Sequence, residues 1–212
     1  MRYLLLAAAG LGGALALGSC ATMNEQQCLA GDWAGQGYAD GLGGLTMSRL
    51  DEHAQACAKH GVTPDAYAYR QGRDQGLRGY CTPARGFSAG REGTSYAGVC
   101  PASLEADFLP AYNDGRQIYS ADQAINEARS RVTSRADRME ELDDKIEGKQ
   151  AEMRAEGVTD EQRRAIENRI RELRREREDT GRDWRRAQNE LDDAEGWARE
   201  IRYRMQGSYG GW

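Results

Sequence analysis

Large apolar residues and prolines are scarce in this sequence. Of its 212 residues, two are Phe and four are Pro, while 26 are Gly. Because hydrophobic residues make up only 39% of the chain and charged residues 30%, one large spherical core is excluded, and much of the chain must be solvated helix or loop. The few prolines exclude a collagen-like chain. The net charge of −5 argues against a general nucleic-acid binder, which is normally basic.

Strand patterns are almost missing as well. Apolar residues rarely alternate with a period of two, so the sequence predicts an all-α protein. Two Thr-Pro pairs, Thr63-Pro64 and Thr82-Pro83, are typical of an N-cap followed by proline at the first helical position. The expected fold is a small, disulfide-stapled Gly/aromatic helical domain over residues 32–117, followed by a long antiparallel coiled-coil hairpin over residues 118–206.

The first residues have the pattern of an export signal. After a short positive start, residues 3–17 are apolar and uncharged, which is too short for a comfortable membrane span and typical of a signal-peptide core. Leu17-Gly18-Ser19-Cys20 then resembles a bacterial lipobox, in which the Cys becomes the lipidated N-terminus. The sequence therefore predicts a signal peptide over residues 1–19 and a lipid on Cys20.

The predicted lipid also sets the expected location. No later stretch is apolar and long enough to span a bilayer, so a lipid anchor with a soluble body is expected, with residues 20–31 as lipidated N-terminus and tether. Ala21 follows the Cys, which by resemblance to known sorting signals favours the outer membrane. The expected location is the cell envelope, with the protein anchored by its lipid to the outer membrane and facing the periplasm.

Four further cysteines precede residue 101 and predict disulfides in an oxidising compartment. If the first two helices are antiparallel, Cys28 lies near Cys57, and the loop after the third helix can return Cys100 to Cys81. A zinc site is the alternative, because His53, Cys57 and His60 would share one helix face. The absence of any CxxC pair favours the disulfides, and no metal or other cofactor is expected.

An aromatic residue precedes a glycine by three positions four times between residues 28 and 116. Since positions i and i+3 share a helix face, and Gly costs a helix about 1 kcal/mol relative to Ala, four repeats indicate a packing or ligand reason. The pattern occurs at Tyr38/Gly41, Tyr69/Gly72, Phe87/Gly90 and Tyr112/Gly115. The possible ligand face comprises Tyr38, Gly41, Tyr69, Gly72, His53 and His60.

From residue 118 onward, apolar residues recur with alternating steps of three and four. Two such segments, separated by a turn at about residues 155–160, predict an antiparallel hairpin whose second helix opens with a capping box at Thr159. In this register Leu142 faces Leu173, and two polar layers are expected, with Arg135 opposite Thr180 and Met139 opposite Arg177. Residues 207–212 are expected to form a flexible tail.

Several short motifs occur in an order typical of one group of proteins. They include Tyr38-Ala-Asp-Gly41, His53-x-x-x-Cys57, Gly61-Val-Thr-Pro-Asp65, Gly76-Leu-x-x-Tyr-Cys81 and Tyr96-x-Gly-Val-Cys-Pro101. With these motifs the chain resembles the domain-of-unknown-function family numbered 2799, small bacterial lipoproteins of uncharacterised role. The resemblance covers about residues 28–120 and implies an architecture and a location, but no activity.

The sequence indicates no catalytic residues, because the paired carboxylates Asp143-Asp144 and Asp192-Asp193 lie in the charged hairpin, where solvation explains them. The leading hypothesis is a lipid-anchored envelope protein that acts by contact, as a scaffold or accessory subunit. Its expected partners are the membrane, through the lipid, and a protein or a second copy, through the hairpin, but no nucleic acid. The alternatives are a ligand- or metal-binding lipoprotein that uses the Gly/aromatic domain and, ranked last, an envelope hydrolase.

Overall fold

The computed structural model describes residues 22–209. The predicted signal peptide and lipidation site Cys20 lie outside the described residues, as do residues 210–212 of the expected tail. Between residues 22 and 209 the chain is all-α, without a strand, and none of its helices is long and apolar enough to cross a membrane. The helices are α1 (Glu25–Ala30), α2 (Trp33–Leu42), α3 (Arg49–Ala58), α4 (Ala66–Tyr80), α5 (Pro83–Arg91), α6 (Ala102–Arg154) and α7 (Asp160–Met205).

The chain divides into two compact units, the first ending at Gly79 and the second beginning at Tyr80. The sequence placed a boundary at residues 117/118 instead, where the composition changes. That position lies inside α6, which continues through it without a break. The composition changes there because one helix serves two environments: its first turns pack beside α5, and its remainder forms one arm of the hairpin.

Residues 22–31, expected to form a tether, are part of the first unit. Met23 is 3% exposed and belongs to a core cluster with Cys28 and Trp33. Asn24 caps α1 through a capping box with Gln27, which fixes the start of this short helix. The folded part of the chain therefore begins by Thr22, two residues after Cys20.

Helices α2 and α4 of the first unit touch through glycine. A Cβ built on Gly37 would lie 2.0 Å from the carbonyl oxygen of Tyr69, and one on Gly72 would lie 1.9 Å from that of Ala34. Gly41 and Gly76 have equally close neighbours one turn further along. Residue numbers rise together along both helices, so the helices run parallel, and only glycine lets their backbones approach this closely.

The second unit has a helix bundle at the base of its hairpin. Helices α5, α6 and α7 enclose an apolar cluster that the end of α7 completes. The buried members of this cluster are Phe87, Ala111, Ile118, Ala121, Ala198, Ile201 and Met205. The prediction of a flexible tail is wrong at Tyr209. The ring of Tyr209 stacks on Phe87 at 4.3 Å between ring centroids, and its hydroxyl donates to Asp114.

Helices α6 and α7 form the expected antiparallel hairpin, with its turn at residues 155–159 and the Thr159–Gln162 capping box at the start of α7. Leu142, Ile170 and Leu173 are buried in the seam. The apolar seam positions expected from the spacing are all buried or half-buried. Since each arm buries only this narrow face, the other faces are free to carry charge.

The expected polar layers of the seam are partly wrong. Arg135 is exposed and does not fill a seam position. Arg177 turns outward to hydrogen bond both carboxylate oxygens of Asp143, at 2.9 to 3.2 Å. At this layer α7 contributes two small residues, Thr180 and Gly181, which are buried. The Thr180 hydroxyl donates to the carbonyl of Glu176 in its own helix, as a helical threonine commonly does.

Candidate functional site

A buried polar network joins four segments of the first unit. His53 on α3 is fully buried, and its Nε2 lies 2.7 Å from Oδ2 of Asp40 on α2. Its Nδ1 lies 2.7 Å from the hydroxyl of Thr22, at the start of the described chain. The hydroxyl of Tyr69 on α4 donates to the same Asp40 oxygen at 2.7 Å. Gln36 donates to the second carboxylate oxygen at 3.2 Å.

Every polar atom of the network has a partner, which is what burial of a carboxylate requires. With Nε2–H donating to Asp40, Nδ1 of His53 accepts from the Thr22 hydroxyl, so one tautomer satisfies both contacts. Burial, together with the hydrogen bond to the Asp40 carboxylate, raises the pKa of Tyr69 well above its usual value. The tyrosine therefore remains a donor throughout the physiological range.

The order hydroxyl, imidazole, carboxylate is also that of a nucleophilic triad. His53, however, has no exposed surface, and each of its ring nitrogens is committed to a neighbour within the fold. A general base must reach a substrate proton, which a fully enclosed ring cannot do. The arrangement is suited to fastening Thr22 to the helices, and we call Thr22, Asp40, His53 and Tyr69 the N-terminal clasp.

The second unit contains the same helix pair without the clasp. In α5 and α6, a Cβ on Gly86 would lie 2.6 Å from the carbonyl oxygen of Phe108, as one on Gly37 would lie close to that of Tyr69. A Cβ on Gly90 would lie 2.1 Å from the carbonyl oxygen of Tyr112. The two glycine-packed pairs are therefore copies of one arrangement.

Loop contacts and disulfides repeat in the two copies too. Arg73 donates to the carbonyl of Leu45 in the first copy, and the Tyr112 hydroxyl donates to the carbonyl of Thr94 in the second. Each copy has one disulfide, Cys28–Cys57 or Cys81–Cys100, that joins the chain before its first helix to the chain between its two helices. Both pairings are those expected from the sequence.

The comparison of the copies isolates what is special to the first. The positions of Asp40 and Tyr69 are taken by Ala89 and Phe108 in the second copy, by the correspondence of the glycine contacts. Phe108 is fully buried, as Tyr69 is. Because the helix pair packs without a polar network, the clasp is not needed to hold two helices together. It is present where the N-terminal segment must be held.

The possible ligand face from the sequence is divided among three places. His53 and Tyr69 lie in the clasp. Gly41 and Gly72 are covered by the backbone of the opposite helix. Tyr38 is 47% exposed, and His60 is near the surface, with Nδ1 3.8 Å from the carboxylate of Glu25. The structure therefore does not bring these six residues together on one face, and a ligand site formed by all of them stays a prediction.

The zinc alternative also loses its ligand set. Cys57 is in a disulfide, and His53 has both nitrogens engaged. Among residues 22–209 no group of three or more His, Cys, Asp or Glu side chains is placed to hold a metal ion.

Sequence reasoning missed Asp40 and Thr22. A signal for Asp40 was present, because it lies three residues after Gly37 and therefore on the glycine face that packs against α4. An aspartate is a poor helix former, so one at a packing position indicates a tertiary partner. Thr22 has no comparable signal, since nothing in its local sequence points to His53.

Residues 32–117 match the family model described as "Protein of unknown function (DUF2799)". The matched segment extends from α2 into the first part of α6, so it contains both glycine-packed helix pairs. No curated protein and no solved structure matches the chain. The match supports the family resemblance seen in the motifs of the Gly/aromatic domain.

Proposed function

We propose that this protein is a lipid-anchored envelope protein that acts by contact, as a scaffold or accessory subunit, through its long hairpin. The observation that carries the proposal is the hairpin itself. Its second arm has 46 residues, about 69 Å at 1.5 Å per residue, and most of its surface is charged and exposed. A two-helix rod of this length offers a large surface and encloses little, which suits a partner better than a substrate.

The folded N-terminal segment supports the anchoring half of the proposal. Only Ala21 separates Cys20 from Thr22, so a lipid on Cys20 would be attached within about 8 Å of the Thr22 backbone. Thr22 is held by His53, and Met23 is buried in the core of the first unit. A lipidated Cys20 would therefore hold the first unit close to the bilayer, since no long tether would intervene.

Anchoring is tested by changing Cys20 to Ser. We expect the variant to keep its signal peptide and to lose the lipid, and mass spectrometry of the N-terminal peptide detects both changes. The matched control is Cys28→Ser with Cys57→Ser, which removes a disulfide and leaves the lipobox intact. Wild-type protein that is found mature but without lipid would refute the anchoring.

The contact role is tested by shortening both arms equally. Removing residues 136–149 and 166–179 deletes two heptads from each arm, about 21 Å, so the remaining seam stays in register and the base cluster is untouched. We expect crosslinked partners of the full chain to disappear from cells that make the shortened chain, although it remains in the membrane. Identical crosslinks from both chains would contradict a role for the hairpin.

A further inference from the structure

The two arms of the hairpin carry opposite charges on the faces that point away from the seam. Glu140 and Asp144 lie two positions on either side of the buried Leu142, and two positions correspond to about 200° around a helix. On α7, Arg171 and Arg175 flank the buried Leu173 in the same way. The back of α6 is therefore acidic where the back of α7 is basic.

Each charge extends along its arm as a stripe. The acidic stripe consists of Asp137, Glu140, Asp144 and Glu147, with steps of three and four. The arginine stripe consists of Arg164, Arg171, Arg175, Arg182 and Arg186, with steps of seven and four, and Asn168 and Glu178 occupy the positions that the steps of seven pass over. All of these side chains are exposed. The stripes are about 15 Å and about 33 Å long, respectively, at 1.5 Å per residue.

The acidic stripe has no cation from its own chain. Within residues 22–209 none of its four carboxylates forms an ion pair, although neighbouring acids such as Glu141 and Asp143 do. In the arginine stripe, Arg182 and Arg186 pair only with the acid three residues before them. Such exposed pairs are weak, so the guanidinium groups remain available to other carboxylates.

The two stripes lie at the same level of the hairpin. Two ion pairs that cross the seam show this register: Arg138 of α6 pairs with Glu176 of α7, and Arg177 of α7 pairs with Asp143 of α6. Residues 138–143 are thus level with residues 176–177. A second hairpin that stands beside the first and points the same way would bring its arginine stripe against the acidic stripe without any shift along the axis.

From this complementarity we infer that the hairpin binds a second copy of itself side by side, with the acidic stripe of one copy against the arginine stripe of the next. The inference rests on the proposed function, because a common lipid anchor gives all copies the same orientation. The contact joins two different faces, so in a pair one copy retains a free arginine stripe and the other a free acidic stripe. Such a contact does not close on itself and produces rows of hairpins.

The test uses the full chain in cells, with a photocrosslinking amino acid in place of Asn168, which lies between Arg164 and Arg171. We expect light to produce a dimer whose crosslinked peptide contains residues from 137 to 147 of the second copy. The same amino acid in place of Gln123, which is exposed and outside both stripes, is the position control and should give no such dimer.

Charge reversal provides the decisive variants. Glu140→Arg with Asp144→Arg reverses the two central charges of the acidic stripe, and Arg171→Glu with Arg175→Glu reverses two neighbouring charges of the arginine stripe. Each variant alone then sets like charges against each other in the middle of the contact and should lose the dimer. Cells that make both variants should regain it, because each reversed stripe then meets its opposite. Asp192→Arg with Asp193→Arg changes the net charge as much as the first variant but leaves the stripes intact, and should crosslink like wild type.

The outcomes separate this inference from the proposed function. A hairpin-dependent adduct with another protein, without any dimer, overturns self-association and leaves the contact role standing. A dimer that persists in the single reversals, or that fails to return when both variants are made together, also overturns it. Purified full-length protein provides a further measurement, in which the dimer should respond to the charge reversals as it does in cells and should dissociate in 0.5 M salt. That result would support the inference even if the protein proved not to be lipidated.

Discussion

Gly72 packs directly on the backbone of Ala34: a Cβ at Gly72 would lie 1.9 Å from the Ala34 carbonyl oxygen, far inside the closest separation that real Cβ atoms show. We therefore expect Gly72→Ala to force α2 and α4 apart and to destabilise the first unit by at least about 2 kcal/mol, as overpacking a rigid backbone contact does. Chemical denaturation followed by circular dichroism measures the loss.

The control for this change is Gly148→Ala in α6. A Cβ there would meet nothing within 4 Å, so only helix propensity applies, and we expect a gain of up to about 1 kcal/mol. Opposite signs for the two substitutions are the expected result. Equal gains at both positions would contradict the close approach of α2 and α4.

The glycine pattern was the most informative part of the sequence, yet its meaning was only half predictable. Repeated aromatic and glycine residues at helical spacing indicated close helix packing, which the structure has. The structural equivalents, however, are Tyr69 with Phe108 and Gly76 with Gly115, so the Tyr112/Gly115 pair is one turn away from where the Tyr69/Gly72 spacing aligns it. A helical repeat of three or four residues cannot fix which turn of one helix meets which turn of another.

Removal of one hydroxyl from the N-terminal clasp should be costly. Tyr69→Phe deletes a donor to the buried Asp40 carboxylate, and we expect a loss of about 1–3 kcal/mol in the free energy of unfolding. Tyr67→Phe is the matched control on the same helix, because Tyr67 is 70% exposed and its hydroxyl only accepts from Gln71. That change should stay within about 0.5 kcal/mol of wild type. Comparable effects at both positions would argue against the clasp.

The N-terminal clasp could not be predicted from the sequence, because its contacts join residues that are far apart in the chain. Its contacts join residues 13, 29 and 31 positions apart, across three helices and the N-terminal segment. Periodicity places a residue on a face of its own helix but does not say which other face it meets. The hairpin was predictable because its two arms share one simple register.

The hairpin should lose stability in acid through Glu141. Hydrogen bonds from Lys145 and Arg138 lower the pKa of Glu141 from its ordinary 4.5 to about 2. A folded-state pKa below the unfolded value means that the carboxylate stabilises the fold above about pH 4.5 and that this contribution is lost as the pH falls toward 2. We expect the denaturation midpoint of wild type to fall more between pH 6 and pH 3 than that of Glu141→Gln.

The control for acid sensitivity is Glu167→Gln on α7, whose carboxylate forms no ion pair among the described residues. This variant should keep the pH dependence of wild type. If Glu141→Gln and Glu167→Gln respond to pH alike, the Arg138–Glu141–Lys145 contacts contribute nothing measurable in solution.

The chain after α7 should contribute to the base of the hairpin. Tyr209→Ala removes the stacking on Phe87 and the hydrogen bond to Asp114, so we expect the second unit to lose about 1–2 kcal/mol. Tyr203→Ala is the control, since Tyr203 is 80% exposed. A loss at Tyr203 that equals the loss at Tyr209 would indicate a general effect of aromatic residues near the end of α7.

One added methyl group in the middle of the hairpin should increase the stability of the protein. Gly181 is buried, but a Cβ there would meet nothing closer than 4.0 Å, where Met139 Sδ and Arg185 Nη1 lie. Gly181→Ala therefore adds helix propensity without a clash, and we expect about 1 kcal/mol of stabilisation in chemical denaturation. Arg177→Leu should increase the stability less, or not at all, because the substitution removes the bidentate contact between Arg177 and Asp143. If Gly181→Ala destabilises the hairpin, the arms lie closer together at this layer than the structure places them.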